Sequence, residues 1–64
     1  MIQKYRKLRK YTQEQLAELV DITPRQLQRI EKNESETKIK TLRKIIKILQ
    51  IEDKDIIEYI KKED

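Results

Sequence analysis

The sequence predicts an all-α fold, a compact single domain of five helices, and three observations carry that prediction. The 64 residues include no glycine and one proline, so tight primed hairpins and glycine-lined phosphate loops lack the residues that build them. Lys, Glu, Gln, Leu and Ile dominate the composition and favour helix throughout. Apolar residues recur at three- and four-residue spacing along most of the chain. A chain this short is expected to form one domain, residues 1–64, and it folds only if its core packs efficiently.

The first helix is expected from about Ile2 to Lys10, with Ile2, Tyr5 and Leu8 on one side and Lys4, Lys7 and Lys10 mostly outside it. Thr12 is a good N-cap for a second helix, about Gln13 to Val20, whose apolar face is Leu16, Ala17, Leu19 and Val20 before Asp21-Ile22-Thr23 breaks the run. Thr23 caps a third, about Pro24 to Glu31. Proline stands in its first turn, where the missing N–H costs nothing, and Leu27 and Ile30 point inward. Asn33 follows at the position where a left-handed backbone commonly ends a helix. The polar link Asn33-Glu34-Ser35-Glu36-Thr37 leads to the main core helix, about Lys38 to Leu49, in which Ile39, Leu42, Ile45, Ile46 and Leu49 keep helical period. Ile51 is expected to pack in the next connection and Asp53 to cap a fifth helix, about Lys54 to Lys61, with Ile56, Ile57 and Ile60 toward apolar neighbours. The final Lys-Lys-Glu-Asp is expected to fray.

Cysteine and histidine are both absent, which removes disulfides, zinc sites, Cys nucleophiles and every His-based triad or base. With 44% of residues charged, most carboxylates must be solvated, and no pair stands where a pocket would shift its pKa. No enzyme activity, metal or cofactor is expected. The first ten residues are too charged for a signal-peptide core, and no apolar run approaches a membrane span. A cytoplasmic location without a membrane partner is therefore expected.

The net charge is +4, and its placement is informative: residues 1–32 hold eight basic and four acidic side chains, residues 33–64 eight of each. The excess coincides with the helical pair of residues 12–31. On the outer side of that pair, Arg25, Gln28, Arg29 and Lys32 follow one another at i, i+3, i+4 and i+7. A row of this kind is ordinarily a solvated face, but here it lies on the second of two short helices joined by a tight turn, inside the positive half of the chain. An α-helix fits the DNA major groove, where Arg25 and Arg29 can each make a bidentate contact to guanine and Gln28 to adenine, each worth roughly 1–3 kcal/mol of discrimination. Thr12 and Gln13, at a helix N-terminus, are candidate phosphate contacts, as is Thr23 at the start of the next helix. A second basic row, Lys40, Arg43, Lys44 and Lys47, is expected to be solvated except at Lys40. Tyr5, Tyr11 and Tyr59 are expected at the core edge. Ile56, Ile57, Tyr59 and Ile60 are too many apolar groups for one narrow helix face and form a candidate dimer surface.

These residues carry a resemblance. Thr12-Gln13-x-x-Leu16-Ala17, Ile22-Thr23, Ile30-Glu31, Thr41-Leu42-x-x-Ile45 and Leu49-x-Ile51 are similar to the lambda-repressor/Cro-like (Xre family) helix-turn-helix domains, without gaps from about Ile2 to Ile56. The resemblance implies a sequence-specific DNA-binding transcriptional regulator, most simply a repressor that binds a palindromic operator in double-stranded DNA as a homodimer, with dimerisation assisted by DNA. It would be nucleoid-associated through that binding. The resemblance also implies a structural ion pair between Arg6 and Glu31, since a carboxylate near a helix C-terminus opposes the macrodipole and needs a cation beside it.

Departures from the family pattern shift some expectations. Asp21, Asn33 and Gln50 stand where glycine is usual. Asp and Asn accept the required backbone, whereas Gln is less suited, so the connection at Gln50 is expected to differ. Pro24 replaces a glutamine that is often supported by the glutamine opening the preceding helix, which moves base contacts to Arg25, Gln28 and Arg29. Glu34 and Glu36 replace basic residues that commonly grip phosphate, so some of that grip moves to Lys32, Lys38 and Lys40 or is lost. The same departures favour an alternative, a protein-interaction module of antitoxin or anti-repressor type that keeps the fold and acts through a protein partner. A peripheral membrane binder using the basic first helix is disfavoured by the lack of Trp and Phe.

Overall fold

Two reciprocal caps set the frame of the domain. In the computed structural model, which describes residues 1–62, the Thr12 hydroxyl accepts from the Gln15 backbone N–H at 3.1 Å while the Gln15 side chain accepts from the Thr12 N–H at 2.9 Å. Thr23 and Gln26 repeat the arrangement at 3.1 and 2.8 Å. Each box satisfies donors that a helix start leaves orphaned, and they open α2 (Gln13–Leu19) and α3 (Pro24–Lys32). Around this pair lie α1 (Ile2–Leu8), α4 (Ile39–Leu49) and α5 (Asp53–Lys62), with a single 3-10 turn, Glu34–Glu36, between α3 and α4. No described helix is long and apolar enough to cross a membrane. The expectation of fraying at 63–64 lies outside the described residues.

Three helices end in the same way without a glycine. Lys10, Asp21 and Gln50 take left-handed backbones with φ of 63°, 60° and 53°. After each, the next N–H reaches back five residues: Tyr11 to the Arg6 carbonyl, Ile22 to Ala17 and Ile51 to Ile46, at 3.1, 2.9 and 3.1 Å. This is the closure by which a left-handed residue satisfies terminal carbonyls, followed by an apolar residue that returns to the core. Gln50 therefore makes the turn that its residue type disfavours, because Ile51 must be turned inward, where it is buried. Lys10 gives α1 an earlier end than expected. Asn33 does not take the left-handed form; its φ is −142°, because the chain continues directly into the 3-10 turn.

The core joins Ile2 and Tyr5 of α1, Leu16 and Ala17 of α2, then Val20, Leu27 of α3, Ile45 and Leu49 of α4, and Ile51. Leu8, Leu19 and Ile39 are exposed, contrary to the amphipathic reading. Leu8 is the last residue of its helix, the strip of α2 that meets the core is only wide enough for Leu16, Ala17 and Val20, and Ile39 opens α4 well ahead of the first fully buried position, Ile45.

Long-range polar contacts then fasten α1. Arg9 donates from Nε to the Leu49 carbonyl at 2.8 Å and from Nη2 to the Gln50 carbonyl at 3.2 Å, supplying partners and positive charge at the C-terminus of α4. The Tyr5 hydroxyl donates to the Asp55 carboxylate and brings α5 against α1. That hydrogen bond, followed by burial, raises the Tyr5 pKa above its ordinary value of 10.0. Asp53 falls within the first turn of α5 instead of capping it, since the Glu52 carbonyl already accepts from the N–H groups of Asp55 and Ile56. Ile56 packs on the core and Tyr59 is half-buried, so the apolar surplus of α5 left exposed is Ile57 and Ile60.

Candidate nucleic-acid interface

The capping of α3 by Thr23 and Gln26 and the burial of Leu27 fix the rotation of the helix about its axis. With Leu27 turned in, Arg25, Gln28, Arg29 and Lys32 are all exposed and line one shallow concavity. Arg29 also borders a neighbouring groove whose far wall holds Lys38 and Thr41, so the start of α4 adjoins the α3 stripe. Lys38 and Lys40 are exposed there. Among the described residues, none of Arg25, Arg29, Lys32, Lys38 and Lys40 has a carboxylate within ion-pair distance. These cations are exposed to solvent.

Behind the stripe runs a chain of hydrogen bonds. Arg6 Nε lies 2.6 Å from Glu31 Oε2, and Arg6 Nη1 donates to the Tyr11 carbonyl at 2.9 Å. The other oxygen of Glu31 accepts from Gln13 Nε2 at 2.9 Å, and Gln13 Oε1 accepts from Gln28 Nε2 at 3.2 Å. Arg6 and Glu31 are almost wholly hidden from solvent, Gln13 is half-buried and Gln28 is exposed, so the chain leads from the interior to the reading face.

The backbone N–H of Gln13 lies at the start of α2, where the phosphate contact is expected, while its side chain is engaged by Glu31 and Gln28 and keeps one amide N–H. Thr12 and Thr23 accept within their capping boxes and retain a hydroxyl proton to donate. Glu34 departs from expectation. Instead of projecting with the link, it accepts at Oε2 from the Ile2 N–H at 2.7 Å and lies 2.9 Å from the Met1 ammonium, so its charge is spent at the start of α1. The Lys40, Arg43, Lys44 and Lys47 row is exposed along its whole length.

The link between Gln13 and Gln28 and the bracing role of Arg9 escaped the sequence reading. Both glutamines stood out individually, but their contact depends on how α2 and α3 cross. Arg9 sat in a basic cluster with nothing to set it apart.

Comparison with known proteins agrees with this geometry. No curated protein and no solved structure matches the chain. A helix-turn-helix family model matches residues 2–56, which is nearly the whole domain and includes every element from α1 to the first turn of α5. The chain belongs to the Cro/C1-type, Xre-like helix-turn-helix family of DNA-binding regulatory domains.

Proposed function

We propose that the protein is a sequence-specific transcriptional regulator, a repressor that binds a palindromic operator as a dimer with α3 in the major groove. The observation that carries this reading is the exposure of Arg25, Gln28, Arg29 and Lys32 along one concave face, with no ion pair to these cations among the described residues. In this reading Arg25 and Arg29 read guanines, Gln28 reads an adenine, and Lys32, Lys38 and Lys40 contact phosphates along with Thr12, Thr23 and the Gln13 backbone. Glu34, turned away toward α1, does not oppose that approach. Exposed Ile57 and Ile60 on α5 support the dimer, whose two α3 helices would reach successive major grooves about 34 Å apart.

In vitro selection of bound duplexes from a random library, at physiological salt, tests this reading. A palindromic consensus containing G·C pairs is the expected result. A flat profile overturns it and favours the protein-interaction alternative.

A further inference from the structure

We propose that Glu31 acts as a specificity-positioning residue: through Gln13 it fixes which way the Gln28 amide faces, and so makes Gln28 a reader of adenine rather than guanine. The inference deepens the DNA-reading assignment above and rests on it.

The polarity argument starts at the buried end. The Glu31 carboxylate can only accept hydrogen bonds. One of its oxygens is held by Arg6 at 2.6 Å and the other faces Gln13 at 2.9 Å. Gln13 must therefore turn its NH2 group toward Glu31, which leaves its carbonyl oxygen facing α3. That oxygen accepts from Gln28 Nε2 at 3.2 Å. Once one N–H of Gln28 is engaged this way, its remaining N–H and its Oε1 face outward side by side. One donor beside one acceptor is the complement of adenine N7 and N6–H2 in the major groove. Guanine offers two acceptors there, N7 and O6, and would meet the Gln28 oxygen with a like group. If the amide turned over, its NH2 would face outward and the preference for adenine would be lost.

Gln13 thus joins the Glu31 oxygen that Arg6 leaves free to a side chain on the exposed face of α3. Arg6, which also holds the Tyr11 carbonyl, keeps the carboxylate in position from behind.

The test uses the intact protein with Gln13→Ala, which leaves the Arg6 and Glu31 pair in place, and Glu31→Gln, which lets the Gln13 amide turn. Binding is measured by competition against duplexes carrying each base at each position of the selected site. Both variants are expected to reduce adenine preference at one position by about five-fold or more, while guanine preference at the positions read by Arg25 and Arg29 is retained. Nuclear magnetic resonance of the free protein provides a second readout, in which the Gln28 side-chain amide signals should shift in Gln13→Ala. Uniform weakening at all positions in Gln13→Ala, or Gln28 signals unmoved by that substitution, overturns the proposal and leaves the wider DNA-reading assignment standing. Loss of preference at every position already in the wild type overturns that assignment and this proposal together.

Discussion

Arg6 and Glu31 form a 2.6 Å ion pair in which both side chains are almost wholly hidden from solvent. Removing either partner leaves a charge in the interior with no counterpart, at a cost of about 3–5 kcal/mol. Arg6→Ala and Glu31→Ala should each lower Tm by more than about 10 °C, because each kcal/mol moves Tm by several degrees in a domain this small. Thermal unfolding followed by circular dichroism checks this.

Glu34 makes a different prediction. Judged by charge alone, replacing an acidic residue near a DNA-facing link should tighten binding. Its carboxylate instead accepts from Ile2 and pairs with the Met1 ammonium. Glu34→Ala should cost roughly 1–3 kcal/mol of stability with little change in DNA affinity. Urea unfolding and a binding isotherm, measured on the same preparation, separate the two effects.

On the reading face, Arg25→Ala and Arg29→Ala should each cost roughly 1–3 kcal/mol and relax selectivity at one base pair. Lys38→Ala should weaken binding evenly across sequences and reduce the slope of affinity against salt by about one ion. Titrations on the selected site and its single-base variants, at several salt concentrations, distinguish the two classes.

The left-handed turns can be improved. Gln50 has φ of 53°, a conformation that costs an L-residue roughly 1–2 kcal/mol, part of which glycine returns through its freer unfolded chain. Gln50→Gly should stabilise the domain by about 0.5–1 kcal/mol, whereas Gln50→Val should destabilise it. Urea midpoints at unchanged slope would register both.

Tyr5 carries a pH signature. Its hydroxyl donates to Asp55, so its folded pKa lies above the ordinary value of 10.0. In alkali the unfolded chain loses that proton first, so the contribution of Tyr5 is complete below pH 10 and disappears as pH rises through the folded value. The stability gap between the wild type and Tyr5→Phe should be flat through neutral pH and narrow above 10. Phenolate absorbance compared between the wild type and Tyr5→Phe should show that the Tyr5 hydroxyl titrates above its ordinary value of 10.0.

Much of the helical order was legible because its determinants are local. Thr12 and Thr23 announce caps, Pro24 a first turn, and Leu16, Leu27, Ile45 and Leu49 a repeating inner face. Coverage by neighbours is not local, which is why Leu8, Leu19 and Ile39 fit the helical period and still face solvent. The left-handed turns were legible at Asp21 but not at Lys10 or Gln50, where side chains with no preference for that backbone are held by the need to bury Tyr11 and Ile51. For the candidate site, the outward row on α3 followed from spacing. The inward turn of Glu34 and the link from Gln28 to Glu31 depend on partners 15 to 33 residues away or on a third residue between them, and spacing contains no trace of either.

The fastening of α1 by Glu31, Glu34, Leu49 and Asp55 bears on the order of events in folding. Those partners lie 25 to 50 residues further along the chain. On a ribosome, α1 emerges first yet must wait for the last turn of α4 and the first of α5 before it can dock. Loop closure over such spans is costly until several contacts form together. Completion of the domain is thus one concerted event, and amide exchange across α1, α3 and α4 should report a single opening rather than separate ones.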